Sequence, residues 1–465
     1  MIPERMRWLV DPQLPPMQLG ERFSKAGFEI YLVGGSVRDA FLGRDEEGDF
    51  DFATDARPDD IEEILRGWSS TVFTVGKTFG TVGAIQDGRT VEVTTFRSEI
   101  YRDDSRKPHV SFSDSIEIDL SRRDFTVNAL AISFPDVEPI DPFGGTADMA
   151  ARVLRTPLEP EVSFSDDPLR MLRLFRFQAT LDFRPDPVTL EAASAMADRI
   201  RIVSSERIRD ELSRLITAPD PAPALWGLVE SGLTEFFLPE LPALGMEQDP
   251  VQRHKDVLAH TIAVTQKASP DLVLRLAALL HDIGKPETRE FGPEGVSFHH
   301  HEVVGARMAR HRLRALRYPR EVVKDVSQLV FLHLRPHTLA LGWTDSAVRR
   351  YVRDAGPLLE RLNELVRCDV TTANSARARA IQRRIDELEE RIARLSEEEE
   401  IAKLRPPIDG RDVMSFLGIS PGPLVGEAMD MLLDRRIDEG PYSAAEAYEM
   451  LREFARERGM EVPRS

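Results

Sequence analysis

Segments of β character concentrate in the first third of this chain. Glu29 to Val33 and Thr90 to Phe96 are short apolar runs punctuated by turn signals such as Asp87-Gly88. From about Asp166 onward such runs are scarce, and apolar residues recur at helical spacing instead. This predicts an α+β protein, with a small mixed N-terminal sheet followed by all-helical parts. At 465 residues, more than one core is expected. Pro-rich Ala218 to Ala224 and Pro/Gly-rich Leu238 to Pro250 are the candidate linkers. Further on, Ile381, Ile385, Leu388, Ile392 and Leu395 follow 4,3,4,3 spacing. Two heptads are too few for a coiled coil and predict a helix packed on a neighbour, ended by the break from Pro406 to Gly410.

Composition narrows the function classes. With 42% hydrophobic and 30% charged residues, the chain lies far from a disordered composition. The single cysteine, Cys368, excludes an intrachain disulfide and fits a reducing compartment. No apolar run reaches the length of a membrane span and no secretion signal is evident, so a cytoplasmic protein with no membrane partner is expected. The net charge of −18 repels phosphate-bearing partners globally. Locally the sign reverses: Ala306 to Arg353 holds eleven basic and three acidic residues. That run predicts a polyanion-binding surface, with a solvated helix face as the plain alternative.

Three constellations carry chemistry. In the first, Ile30 to Val33 runs into Gly34-Gly35-Ser36-Val37-Arg38-Asp39, a strand feeding a helix whose amide groups can face an anion. Asp49-Phe50-Asp51 follows, and on a strand the two carboxylates share one face. Paired carboxylates repel unless a cation lies between them, which suits Mg²⁺ held with substrate phosphates. Glu92, between Val91 and Val93, is the candidate third carboxylate. In the second, Arg122-Arg123-Asp124 precedes Asp166-Asp167-Pro168, a helix start after which Arg170, Arg173 and Arg176 recur every third residue. With no acids interleaved, that stripe is expected to repel itself unless an anion is bound.

These motifs, with Phe125-Thr126-x-Asn128-Ala129 and Asp141-Pro142-Phe143-Gly144-Gly145, resemble in type and order the class II CCA-adding tRNA nucleotidyltransferases, relatives of bacterial poly(A) polymerases. The resemblance runs from about Glu29 to the last helices. It implies a nucleotidyltransferase head (1–155), a helical nucleotide-selecting, RNA-binding neck (156–240), an HD-type body (241–372) and a helical tail (373–465). It further implies transfer of CMP, CMP and AMP from CTP and ATP to a tRNA 3′ end without a template. By the same resemblance, Asp49 and Asp51 bind Mg²⁺, Gly35 and Arg38 contact the triphosphate, and Arg123, Arg173 and Arg176 bind the nucleotide. Asp167 and Arg170 would read the base. The family's usual Glu is replaced here by Asp166. Poly(A) polymerases and CC-only or A-only enzymes share these motifs. A phosphohydrolase with a vestigial head and an RNA-binding scaffold are disfavoured by intact Asp49, Asp51 and Arg170.

The third constellation is a histidine cluster: nine of ten histidines lie between His254 and His337. The apolar run Leu272 to Leu280 ends in His281-Asp282-Ile283-Gly284-Lys285, with Gly284 expected as a helix C-cap. With His260 and Asp369, this resembles the HD domain of metal-dependent phosphohydrolases. His301 and His333 could support a second metal. Imidazole and carboxylate donors suit Mn, Ni, Fe or Zn. Phosphohydrolase activity at this site is a further expectation.

Overall fold

The N-terminal sheet is built from strands β1 (Ile30–Val33), β2 (Phe50–Thr54), β3 (Thr71–Phe73), β4 (Thr81–Gln86) and β5 (Arg89–Thr95). A hairpin of β6 (Arg97–Ile100) and β7 (His109–Phe112) follows, and β8 (Ala131–Phe134) and β9 (Pro139–Ile140) complete the sheet. Its seven strands run in the order β3-β4-β5-β2-β1-β8-β9. Only the β2 and β5 pair is parallel. The Asp87-Gly88 signal is the β4–β5 turn, where both residues take positive φ (52° and 78°), as a two-residue hairpin turn requires. Helices α1 (Pro15–Ala26), α2 (Gly35–Leu42), α3 (Pro58–Arg66), α4 (Ile116–Ser121) and α5 (Gly145–Ala151) flank it. Val33, Ala53, Phe96, Ile116, Leu120, Ala129 and Ala131 form a buried core cluster of this region.

The computed structural model describes residues 4–44, 49–100, 109–113, 115–246, 256–292, 295–336, 342–370, 375–399 and 405–460. These form two compact units, Met1–Pro242 with Ala315–Arg317, and Ala243–Arg314 with Tyr318–Ser465. Beyond the sheet, the first unit holds β10 (Val153–Leu154), α6 (Pro160–Asp166), α7 (Leu169–Leu181), β11 (Arg184–Pro185) and α8 (Pro187–Ala195). It then adds α9 (Ser205–Ile216), α10 (Ala222–Glu230) and α11 (Thr234–Phe237). Leu172 and Phe175, fully buried, are part of the apolar face by which α7 packs between α9 and α10. Ala218 to Ala224 is therefore not a linker: it turns the chain from α9 into α10 inside one core.

The second unit is helical apart from a hairpin, β12 (Arg289–Gly292) and β13 (Gly295–Phe298). Its helices are α12 (Val257–Lys267), α13 (Leu272–Leu280), α14 (His301–Ala315), α15 (Arg320–Leu332), α16 (Asp345–Ala355), α17 (Leu359–Cys368), α18 (Ser375–Glu399), α19 (Gly410–Leu417), α20 (Pro423–Glu439) and α21 (Ala444–Glu457). The predicted seam is real: Ile385, Leu388, Ile392 and Leu395 are buried as α18 packs on α16 and α17. The break after it ends in Asp409, whose carboxylate caps α19 by accepting from the Arg411 and Asp412 amides. Among the described residues, no helix is long and apolar enough to cross a membrane.

Candidate functional site

Gly34 ends β1 with φ 73°, a conformation glycine takes without strain, and a Cβ there would stand 2.9 Å from Arg123 Nη1. The Gly-Gly turn thus admits an arginine beside the N-terminus of α2. Asp51 is open to solvent on β2 while Phe50 and Phe52 are buried, the alternation expected of a strand. In the β2/β5 register Asp51 stands directly opposite Glu92. Asp49 lies just before β2. The Asp51 carboxyl is raised above its ordinary pKa by its surroundings and by the Glu92 and Asp49 carboxylates, with Arg123 opposing. Of the three, Asp51 alone lines the adjacent cleft.

That cleft, of about 610 Å³, is also lined by Gly34, Gly35, Arg38, Arg123, Asp167, Arg170, Arg173 and Arg176. In all, seven arginines and four aspartates line it, a positive site in an acidic chain. The first two constellations, far apart in sequence, share this one cleft.

One polar network ties them. Arg38 makes two bonds to Asp39 (2.9 and 2.7 Å) and donates to Asn128 Oδ1 (2.7 Å). Asn128 donates to Asp124 Oδ1 (2.9 Å), and Arg173 Nε donates to Asp124 Oδ2 (2.8 Å). Arg173 also reaches Glu211 on α9 (3.3 Å), and Glu211 accepts from Arg176 as well. Burial pushes the Asp124 carboxyl up, but Arg173 and the Asn128 amide outweigh it and hold the group well below the carboxylate range. Burial pushes Arg176 down to about 10 against the pull of Glu211, so it remains a cation at neutral pH. The expected self-repulsion of the stripe is therefore corrected for two of its three members: Asp124 and Glu211 pair with Arg173 and Arg176 from other elements, without a bound anion.

Asp167 and Arg170 are held apart from that chain of bonds. Asp167 accepts from Arg207 (2.6 Å) and from the Leu169 amide (3.1 Å). Arg170, 8% exposed, donates to Ser163 Oγ (2.8 Å) and to the Arg122 carbonyl. Arg207 and Glu211 escaped the sequence reading. Their spacing of four on α9, which puts both on one helix face, was the available signal.

The Asp141 to Gly145 motif has a structural task. Asp141 accepts from the Gly145 and Thr146 amides (2.6 and 3.0 Å), starting α5, and a Cβ on Gly145 would lie 2.1 Å from the Thr126 carbonyl.

In the second unit, His260, His281 and Asp369 form one potential metal-binding group, and Asp282, His301 and His333 another. His260 Nε2 lies 3.2 Å from His281 Nε2 and 2.9 Å from Asp369 Oδ1. His281, His301 and His333 each turn Nδ1 to a backbone carbonyl, of Ala278, Phe298 and Val330 at 2.8, 2.8 and 2.6 Å. That fixes the rings with Nε2 inward, the outer bond usual for ligating histidines. The buried Nε2 atoms of His301 and His333 have no hydrogen-bond partner, so the donor set fits a cation. Burial disfavours charge on His281, yet Asp282 and Asp369 push it up to about 10. His333 is pushed down to about 3 by burial and His281, keeping it a neutral donor. Gly284 is not a C-cap: α13 ends at Leu280, and a Cβ on Gly284 would meet the His301 carbonyl at 2.3 Å. It is small so that α14 can bring His301 in. His254 and His337 lie outside the described residues.

The basic run is partly spent internally. Arg335 pairs with Asp354, Arg350 with Asp438 (2.6 Å) and Arg353 with Asp434 (3.2 Å), and Arg349 donates to the Ile437 carbonyl (3.1 Å).

Comparison with known proteins gives family matches along the chain. Residues 30–155 match the poly A polymerase head domain, 182–244 the "Probable RNA and SrmB- binding site of polymerase A", and 257–399 the HD domain. The chain is 34% identical over 438 residues to an A-adding tRNA nucleotidyltransferase of Deinococcus radiodurans, covering 91% of this chain and 93% of that protein. It is 32% identical over 424 residues to a CCA-adding enzyme of Geobacillus thermodenitrificans, covering 90% and 92%. The chain belongs to the tRNA nucleotidyltransferase family. As for other tRNA nucleotidyltransferases, the fold is shared: the Bacillus stearothermophilus CCA-adding enzyme in complex with CTP superposes with a TM-score of 0.69 at 26% identity, covering 98% of this chain and 99% of that one. In this chain Asp51, opposite Glu92, stands at the edge of an arginine-lined cleft.

Proposed function

We propose that this nucleotidyltransferase adds CMP, CMP and AMP from CTP and ATP to the 3′ end of tRNA. The observation that carries the reading is the shared cleft, where Asp51 faces the arginines beside Asp167 and Arg170. Asp49, Asp51 and Glu92 would hold Mg²⁺, a fit to their hard oxygen donors and mutual repulsion. When bound, the cation activates the tRNA 3′ hydroxyl and neutralises charge on the departing pyrophosphate. The hydroxyl oxygen, giving up its proton to solvent water, attacks the α-phosphorus, the bond from that phosphorus to the bridging β-phosphate oxygen breaks, and pyrophosphate leaves. Gly35, at the start of α2, and Arg38 face the triphosphate; Arg123, Arg173 and Arg176 bind the nucleotide.

Asp167 and Arg170 read the base. Cytosine and adenine each offer an amino donor beside an unprotonated ring nitrogen; the carboxylate accepts from the first and the guanidinium donates to the second. Uracil and guanine would set oxygen against carboxylate and N–H against guanidinium, and leaving such groups unpaired discriminates by roughly 10⁴-fold.

In the HD region, His260, His281, Asp282 and Asp369 would hold a transition metal such as Mn, Ni, Fe or Zn, and His301 and His333 with Asp282 a second. Phosphohydrolase activity is proposed for that site. A cytoplasmic location accords with tRNA as substrate.

The test is incubation of the full chain and Mg²⁺ with tRNAs ending before the CCA, after the first C and after the second C, with CTP and ATP separately and together. Completion to CCA in all three supports the reading. Extension only of the tRNA ending in CC supports a second reading, A addition alone, which the Deinococcus relative favours. Long A tracts would mark a poly(A) polymerase.

A further inference from the structure

Helix α14 presents two unlike faces. His301, Gly305, Ala309 and Leu313 are buried, and Gly305 comes close to Val330 of α15, so this side delivers His301 to the histidine cluster. Positions 307, 310, 311 and 314 fall on the opposite side at 100° per residue. Arg307, Arg310, His311 and Arg314 there are all exposed. Arg307 has Glu287 at 3.7 Å. Among the described residues, Arg310 and Arg314 have no carboxylate within 4.0 Å. Elsewhere in this unit Arg350 meets Asp438, Arg367 meets Glu389 and Arg391 meets Asp345. A chain of net charge −18 has acids to spare, yet among the described residues Arg310 and Arg314 stand without them.

We propose that this outer face of α14 is a docking surface for the phosphate backbone of tRNA. The proposal rests on the reading of tRNA as substrate. Arg307 and Arg314 are two turns apart, about 10.5 Å along the axis, so the row can meet more than one phosphate. A protein partner is a poorer match, because such interfaces need an apolar centre and Val303 is the exposed apolar residue on this face. The face points away from His301, so it docks RNA without feeding the histidine cluster. Phosphate neutralisation by arginine releases counterions, which makes the contribution readable as salt dependence.

The experiment compares the full-length protein with Arg310→Glu/Arg314→Glu, the milder Arg310→Gln/Arg314→Gln and, as control, Arg350→Gln. Each is titrated with tRNA lacking its terminal CCA between 50 and 200 mM KCl, with circular dichroism as a check on folding. Loss of two contacts lowers the magnitude of the slope of log K against log salt by about 1.8, so the affinity lost across that range shrinks about 12-fold. KM for tRNA rises, KM for CTP and ATP stays constant, and the Arg350 control keeps the parental slope. Unchanged slope and affinity in both double variants, with the parent still extending tRNA, overturn the docking surface alone. A parent that neither binds nor extends tRNA overturns the proposed function instead.

Discussion

Glu211→Ala removes the carboxylate that Arg173 and Arg176 share. Glu211 is 5% exposed and Arg176 8%, so the pair is sequestered from water. Arg173 keeps Asp124, whereas Arg176 is left as a buried cation against the ring of Phe177, 3.7 Å away. Removing one partner of a buried ion pair costs about 3–5 kcal/mol. Because Arg173 keeps Asp124 and Arg176 alone loses its carboxylate, the expected loss lies at the low end, about 3 kcal/mol. For a unit of this size about 1 kcal/mol moves Tm by 2–4 °C, so the first unit should melt about 6–12 °C lower in a calorimetric scan. Glu211→Gln, which keeps shape and an acceptor, should lose less. CTP should restore part of the loss, since its phosphates supply the missing negative charge and stabilise by mass action. A Tm for Glu211→Ala within about 2 °C of the parent would refute the claim that the chain's own acids hold the stripe.

Three further outcomes are expected. Because the native Asp124 pKa is depressed below its unfolded value, its stabilisation is complete above about pH 5 and is lost as pH falls through the unfolded value near 4 and below; urea melts should show a shallower acid decline for Asp124→Asn than for the parent. Gly145→Ala drives a Cβ into the Thr126 carbonyl and should cost about 1–3 kcal/mol in the same melts, with no loss expected for Gly88→Ala beyond its φ strain. Elemental analysis of metal-reconstituted protein should find less metal per chain in His301→Ala/His333→Ala than in the parent, while nucleotide addition persists; equal metal content would remove the second binding group.

Much of the site was legible because its signals are local. Gly-Gly after a strand and the Asp87-Gly88 turn each act through neighbours a few residues away, and Asp51 takes the open face of β2 between buried Phe50 and Phe52 as its periodicity requires, with Asp49 just before the strand. The partners of the arginine stripe were not legible, because Asp124 and Glu211 stand 49 and 38 residues from Arg173; Glu211 meets it through packing of α7 on α9, and Asp124 from the segment that follows α4. Distance misled again in the basic run, where Arg350 and Arg353 find their acids on α20, 88 and 81 residues further on. Gly284 shows a different limit. A glycine after a helix reads equally as a cap or as room for another backbone, and only the approach of His301 decides between them.

The central claim is that the cleft's own side chains choose the nucleotide. Single-turnover incorporation of CTP, ATP, UTP and GTP into tRNA lacking its 3′ end, by the parent and by Arg170→Ala, tests it most directly. The account predicts strong preference for CTP and ATP in the parent and a collapse of that preference in the variant, with folding intact by circular dichroism. Parental selectivity retained in a folded Arg170→Ala protein would contradict it.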